Sequence, residues 1–243
     1  MNKKNVNYGI DAPVVIRILS IIGVICLFLS ILSIVMINDD WLWLGGVIGA
    51  LFLLGFLLCS LEASYMFWSS KVGKFRERDI LLDMVNLQGD EMVLDVGCGR
   101  GILLIGAARR LQSGRAVGLD IWNIKDQSGN HPDQTRMNAA AEGVVDRIEL
   151  VTGDMRDMPF DDDIFDVVIS SLAIHNIKSS EERKKALTEI LRVLKPGGRF
   201  AILDFQHTEE YKNVLAFLKV RHVKRVGPHL RMFPPVHIVI GEK

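Results

Sequence analysis

Three carboxylates and a run of glycines stand where this chain could do chemistry. Val93-Leu94-Asp95-Val96-Gly97-Cys98-Gly99-Arg100-Gly101 is a short apolar run that ends in three alternating glycines. Glycines at a strand-to-helix turn let the backbone come close to a ligand. The spacing is G-x-G-x-G, and Ile102 occupies the place where a dinucleotide fingerprint needs its third glycine. A carboxylate two residues ahead of the first glycine, Asp95, does not suit a pyrophosphate. It suits a ligand that carries a positively charged amino group. Asp120 closes a second apolar run, at the position from which a carboxylate usually holds a vicinal ribose diol. Asp154, in Gly153-Asp154-Met155, closes a third. There an acid can accept from an exocyclic amine while an apolar side chain packs on the ring. An acid at a strand end also serves as a plain surface acid or helix cap, so the weight lies in finding three in order.

The elements that would position these residues alternate. Strands are expected at Met92–Val96, Ala116–Ile121, Ile148–Val151, Phe165–Leu172 and Phe200–Phe205, and helices at Ile102–Leu111, Pro132–Glu142, Ser180–Leu194 and about Glu209–Leu218. Two strand-like pieces, near Arg221–Val226 and Val236–Ile240, come after them. Such alternation implies an α/β domain with a largely parallel sheet covered on both faces. Its ligand belongs beyond the carboxyl ends of the strands.

The glycine run with Asp120, Gly153-Asp154, Phe165-Asp166-Val167-Val168-Ile169-Ser170-Ser171 and Leu191-Arg192-Val193-Leu194-Lys195-Pro196-Gly197-Gly198-Arg199 resembles class I S-adenosylmethionine-dependent methyltransferases. The resemblance covers roughly residues 72–243 and is nearest the quinone C-methyltransferase and small-molecule subgroup. It implies a Rossmann-like seven-stranded sheet with an antiparallel last strand, and S-adenosyl-L-methionine as cofactor. By that resemblance Gly97 and Gly99 pass beside the methionine moiety and Asp95 holds its amino group. Asp120 would bind the ribose hydroxyls, Asp154 and Met155 the adenine, and Ser170 or Ser171 would face the sulfonium.

Methyl transfer is an in-line displacement that needs alignment and, for a hydroxyl or acidic carbon, a base. His175, just past the fourth strand, is the candidate; its alternative is to shape the loop before the next helix. His131 and His207 rank behind it. No cysteine is placed as a nucleophile, and no His/Cys/Asp spacing resembles a metal site. Residues 121–131 insert a loop after the second strand where the family normally starts a helix. Trp122 is placed there to cover the adenine or ribose, and Asp126, Gln127, Ser128 or Asn130 to reach cofactor or substrate. A loop ordered only by internal Asx turns is the competing account.

The 243 residues balance 29 basic against 29 acidic groups, which argues against nucleic acid as the main partner. The mean hydropathy is +0.24, and the excess is local. Ile18 to Ile37 and Trp41 to Leu61 are free of charge except at Asn38-Asp39-Asp40 between them. Each run makes a helix of roughly 30 Å, the thickness of a bilayer core. The expected organisation is a transmembrane hairpin over residues 1–61, an amphipathic linker over 62–88 and the methyltransferase domain over 89–243. Lys3, Lys4 and Arg17 before the hairpin and Lys71, Lys74, Arg76 and Arg78 after it place both ends in the cytoplasm. The basic stretch from Lys219 to Arg231 suits either an anionic leaflet or an exposed edge strand. A tethered enzyme favours a small, membrane-borne acceptor: a quinone ring, a phospholipid amine or another amphiphile. A membrane-anchored cofactor-binding module without turnover is the alternative. A nicotinamide oxidoreductase is disfavoured by Ile102.

Overall fold

The computed structural model describes residues 6–36, 41–123 and 130–243. It divides into two compact units, Ile10–Gly73 and a second made of residues 6–9 together with Lys74–Lys243.

The first unit is a helical hairpin of α1 (Pro13–Val35) and α2 (Leu42–Trp68), continued by a π-helical turn at Ser69–Gly73. Both helices are long and apolar enough to cross a membrane by length and composition. Only 11% of the residues in each apolar window are buried, so the apolar side chains mostly face outward. The helices meet through small residues: Ser30 Oγ donates to the Gly49 carbonyl at 2.8 Å. A Cβ at Gly49 would lie 2.9 Å from Ser33 Oγ, and one at Gly55 3.2 Å from Cys26 Sγ. A Cβ at Gly46 would meet nothing within 4 Å. The acidic turn between the helices lies outside the described residues.

The second unit contains α3 (Lys74–Met84), β1 (Met92–Val96), α4 (Ile102–Ala108), β2 (Arg115–Asp120), α5 (Pro132–Ala141), β3 (Ile148–Thr152), β4 (Phe165–Ser171), α6 (Ser180–Val193), β5 (Leu194–Asp204), α7 (Thr208–Phe217), β6 (Arg221–His229) and β7 (Val236–Glu242). The sheet has seven strands in the order β3-β2-β1-β4-β5-β7-β6. The first five run parallel, and β7 lies antiparallel between β5 and β6. The strand order reverses between β1 and β4, so the crevice at their carboxyl ends is the topological switch point. One core face holds Val93, Val167, Ile169 and Leu203 under α3 and α4. The other holds Leu94, Val96, Val168 and Ile202 against α6 and α7. The Leu-Lys-Pro-Gly-Gly segment extends β5 backwards and does not form a separate loop; Gly197 N donates to the Lys243 carbonyl at 2.9 Å, pairing it with the chain end.

Residues 6–9 pack on this domain, far from it in sequence. Tyr8 is buried against α3, edge-on to Phe75 at 5.6 Å. Lys74 Nζ donates to the carbonyls of Tyr8 and Gly9 at 3.1 and 2.9 Å. Asn7 N donates to Asn138 Oδ1 at 2.9 Å, and Arg100 to Asn7 Oδ1 at 3.1 Å. A four-residue strap therefore completes the core, and emptying it leaves a cavity. Tyr8→Ala is expected to destabilise the domain by about 3 kcal/mol, read by denaturant unfolding of the full chain in detergent. An unchanged midpoint would mean that the strap is not part of the folded core.

Candidate active site

Each element ends its chemistry-bearing residue at the same edge of the sheet. After β1, Gly97, Gly99 and Gly101 all have left-handed backbones, with φ of 75°, 49° and 82°. The loop is pressed against the turn after β4: a Cβ at Gly97 would lie 2.3 Å from the Ala173 Cβ. A Cβ at Gly101 would lie 2.7 Å from Thr135 Cγ2. Thr135 Oγ1 donates to the Gly99 carbonyl at 2.6 Å, so α5 clamps the loop from outside.

Asp95 lies beneath that loop, 1% exposed, and its Oδ2 has no hydrogen-bond partner. Burial pushes its carboxyl up to about 8, with the neighbouring Asp120 carboxylate adding to the shift. An orphaned buried acid is costly. An ammonium group offered to it would remove that cost, which is the donor a methionine moiety carries. Burial also pushes the Cys98 thiol well up, with Asp95 and Asp120 adding to the shift, and so keeps it an unreactive thiol.

Asp120 ends β2 and is already engaged. Its Oδ2 accepts from Gly99 N at 2.8 Å; its Oδ1 accepts from Trp122 N at 2.6 Å and Asn130 Nδ2 at 3.1 Å. Trp122 lies across toward β3, its indole donating to Thr152 Oγ1 at 2.9 Å. Asn130 is buried and its Oδ1 is unpartnered. Residues 124–129 of the inserted loop, including Asp126, Gln127 and Ser128, lie outside the described residues. Asp154 comes after β3, but its carboxylate is held by Arg156 Nε at 2.9 and 3.1 Å, which keeps its pKa below the usual value. Arg156 also reaches Glu182 at 3.0 Å. A ligand amine would therefore share Asp154 with a guanidinium. Met155, between them, approaches the glycine loop: its Cε is 3.5 Å from a Cβ built at Gly97.

Ser170 and Ser171 close β4 in different ways. Ser170 Oγ is buried and donates to the Val96 carbonyl at 2.8 Å, while Ser171 is half-buried. His175 sits in the turn Ile174–Asn176 just beyond. Its Nδ1 is 2.7 Å from Asp204 Oδ1, short of full hydrogen-bond alignment, and its side chain is 15% exposed. Asp204 ends β5, fully buried, and is fixed in turn: Oδ2 accepts from His175 N at 3.1 Å and Tyr211 Oη at 3.3 Å, Oδ1 from Phe205 N at 2.9 Å. Burial and Asp204 together raise the Tyr211 pKa, so the phenol stays a donor. The Phe205 ring lies 4.5 Å from the imidazole. Asp204, Phe205 and Tyr211 are additions that the sequence motifs do not single out. The rule of an acid ending a strand, which picks out Asp95, Asp120 and Asp154, would have found Asp204 too. His131 caps α5 by accepting from Asp133 N at 3.3 Å, and His207 precedes α7, 3.5 Å from Glu210. Both are accounted for by those local roles.

Residues 93–198 match the methyltransferase domain family. The chain is 34% identical over 128 residues to the ubiquinone/menaquinone biosynthesis C-methyltransferase UbiE of Ruegeria sp. (strain TM1040), covering 53% of this chain and 48% of that protein. It is 40% identical over 113 residues to the demethylmenaquinone methyltransferase of Symbiobacterium thermophilum, covering 46% and 41%. The chain thus spans about half the length of the curated relatives it matches. In fold it is similar to geranyl diphosphate C-methyltransferase from Streptomyces coelicolor, solved with Mg2+, geranyl diphosphate and S-adenosyl-L-homocysteine. The TM-score is 0.55 at 16% identity, over 70% of this chain and 80% of that one.

A protonated Asp95 has a measurable consequence. In the free domain it keeps its proton at pH 7, whereas a bound ammonium group favours the carboxylate. Binding of S-adenosylmethionine at pH 7 is therefore expected to release close to one proton, seen as a buffer-dependent enthalpy in calorimetry and lost in Asp95→Asn. Linkage has the matching sign. The folded state holds a proton that the unfolded chain gives up above 3.8, so this contribution to stability falls as pH rises toward 8. Buffer-independent enthalpies would count against the assignment.

Proposed function

We propose that this chain, whose residues 93–198 form a domain of the class I S-adenosylmethionine-dependent methyltransferase family, transfers a methyl group from S-adenosylmethionine to a small, membrane-borne acceptor. The observation that carries the reading is the pairing of an orphaned buried Asp95 under the glycine loop with a His175–Asp204 pair across the switch point. When bound, the cofactor supplies a methyl group on a sulfonium, ready for displacement. Asp95 meets its amino group, Gly97 and Gly99 admit its methionine end, and Asp120 meets the ribose hydroxyls. Met155 and Asp154 meet the adenine, and Ser171 faces the reacting end.

His175 is the base. Asp204 holds the Nδ1 side of the imidazole, which leaves Nε2 to take a proton from the acceptor. The carboxylate then stabilises the imidazolium, and Tyr211 and Phe205 N keep that carboxylate in place. The Phe205 ring gives an apolar wall beside the imidazole, which suits an aromatic or polyprenyl acceptor better than a sugar or a peptide.

The helices α1 and α2 form a two-pass anchor in this reading. Their outward apolar side chains support it, since a soluble hairpin would bury them. Both ends of the hairpin join the same compact unit, so both termini and the catalytic domain lie on one side, the cytoplasmic one by charge. Of the expected hairpin 1–61, linker 62–88 and methyltransferase 89–243, residues 6–9 and the linker from Lys74 onward then belong with the catalytic unit. Of the acceptor classes, a quinone ring draws support from the named relatives.

Detergent-solubilised protein given methyl-labelled S-adenosylmethionine and a membrane-lipid extract is expected to put label in the organic phase. Asp120→Ala and Gly99→Arg are expected to abolish cofactor binding. His175→Gln is expected to lower turnover at least 100-fold with cofactor affinity unchanged. Label only in the aqueous phase would remove the lipid acceptor. Cofactor binding without any turnover would favour the non-catalytic module. Full-length protein in the cytosolic fraction of lysed cells would remove the anchor.

A further inference from the structure

The strap at residues 6–9 reaches the glycine loop through one buried amide. Asn138 on α5 is 1% exposed, and its side chain makes the four hydrogen bonds an amide is able to make. Its Nδ2 donates to the Arg100 carbonyl at 2.9 Å and to the Asn7 carbonyl at 3.1 Å. Its Oδ1 accepts from Asn7 N at 2.9 Å and from Gln134 Nε2 at 3.1 Å. Both backbone groups of Asn7 are therefore held, as in a sheet ladder, by a side chain that also holds the loop. The strap meets the loop a second time at Arg100. The Arg100 Nη1 donates to Asn7 Oδ1 at 3.1 Å, and a Cβ built at Gly9 would lie 3.2 Å from the same nitrogen.

The loop needs such holds. Gly99 and Gly101 on either side of Arg100 are left-handed, and glycines keep one backbone form only where outside groups fix their peptides. Asp120 fixes Gly99 N, Thr135 fixes the Gly99 carbonyl and Asn138 fixes the Arg100 carbonyl. Thr135 and Asn138 stand three residues apart, on one face of α5. Of these holds, the one on Arg100 is shared with the strap. A buried amide is secure only while all of its bonds are made. With the strap lifted, Asn138 would turn two of its bonds over to water, and water would compete for the Arg100 carbonyl. Packing alone does not call for Asn7, which is exposed and buries little apolar surface; Tyr8 beside it supplies that.

We propose that Asn7 is a positioning residue for S-adenosylmethionine. Seated on Asn138, it keeps the Gly99–Gly101 backbone in the form that admits the methionine end. This rests on the cofactor-site reading above and extends it to a segment that precedes the hairpin. Cofactor affinity then depends on the seating of a strap whose next residues enter the hairpin.

The test measures S-adenosylhomocysteine affinity by calorimetry, together with the unfolding midpoint, on full-length protein in detergent. Asn7→Ala removes the acceptor for Arg100 and should weaken binding about fivefold, the worth of one hydrogen bond. Asn7→Asp keeps an acceptor there and should leave affinity at the unaltered value. Asn138→Ala frees strap and loop together and should weaken binding at least about tenfold. Val193→Ala, a truncation of the core at the end of α6, should lower the midpoint without changing affinity. Unchanged affinity in Asn7→Ala or in folded Asn138→Ala would overturn the inference and leave the strap as packing. So would an equal loss in Asn7→Asp or in Val193→Ala. If Asn138→Ala does not fold, the two Asn7 variants decide. An unaltered protein that binds no S-adenosylhomocysteine removes the cofactor site itself, and this inference with it.

Discussion

Asp120 ties together parts of the site that the chain supplies separately. Its carboxylate accepts at once from the glycine loop, from the turn after β2 and from Asn130 at the far end of the inserted loop. The three left-handed glycines of that loop have no side chains to hold them, and each loses entropy when fixed. The carboxylate replaces those missing contacts, and Thr135 adds one from outside. Asp120 also adds to the upward shift that burial imposes on the Asp95 carboxyl. The order of the glycine loop and of the turn after β2 depends on that one side chain.

The turn after β4 is organised around Asp204 in a comparable way. A fully buried carboxylate with donors from a backbone turn, a phenol and the next residue is fixed before any ligand enters. The His175 imidazole it faces is thereby set against a fixed carboxylate. Two rigid halves then meet at the switch point, where Gly97 and Ala173 leave no room for even a methyl group. That contact sets how closely the two halves approach.

Much of this is legible in the residues. The alternation of apolar runs and helical stretches specifies most strands to within a few residues, because strand and helix periods are local properties, but not the start of β5 at Leu194, well before the expected Phe200. The acids at Asp95, Asp120 and Asp154 are legible for the same reason: each closes an apolar run. Their present partners are not. Nothing local says that Asp154 is gripped by Arg156 two residues on and Arg156 by Glu182 in α6. Asp204 is visible as an acid ending a strand, but its importance is not, since only the fold brings α7 and the turn after β4 to it. The pairing of Glu77 with His229 joins residues 152 positions apart and leaves no periodic trace. The same is true of Tyr8, a lone aromatic ahead of an apolar helix, whose role depends on α3.

The strap changes what kind of object the hairpin is. Since residues 6–9 belong to the domain and the domain resumes at Lys74, the apolar hairpin is an insertion within a fold, not a tail in front of one. Lys74, the first residue after the insertion, hydrogen-bonds the carbonyl of the last residue before it. The two seams are closed against each other, much as an inserted loop is closed at its base. Residues 6–9 therefore meet the core they complete only across the whole length of the intervening hairpin. An excised soluble domain beginning at Lys74 would carry an open seam, whereas joining Gly9 to Lys74 through a short linker would keep the wall intact.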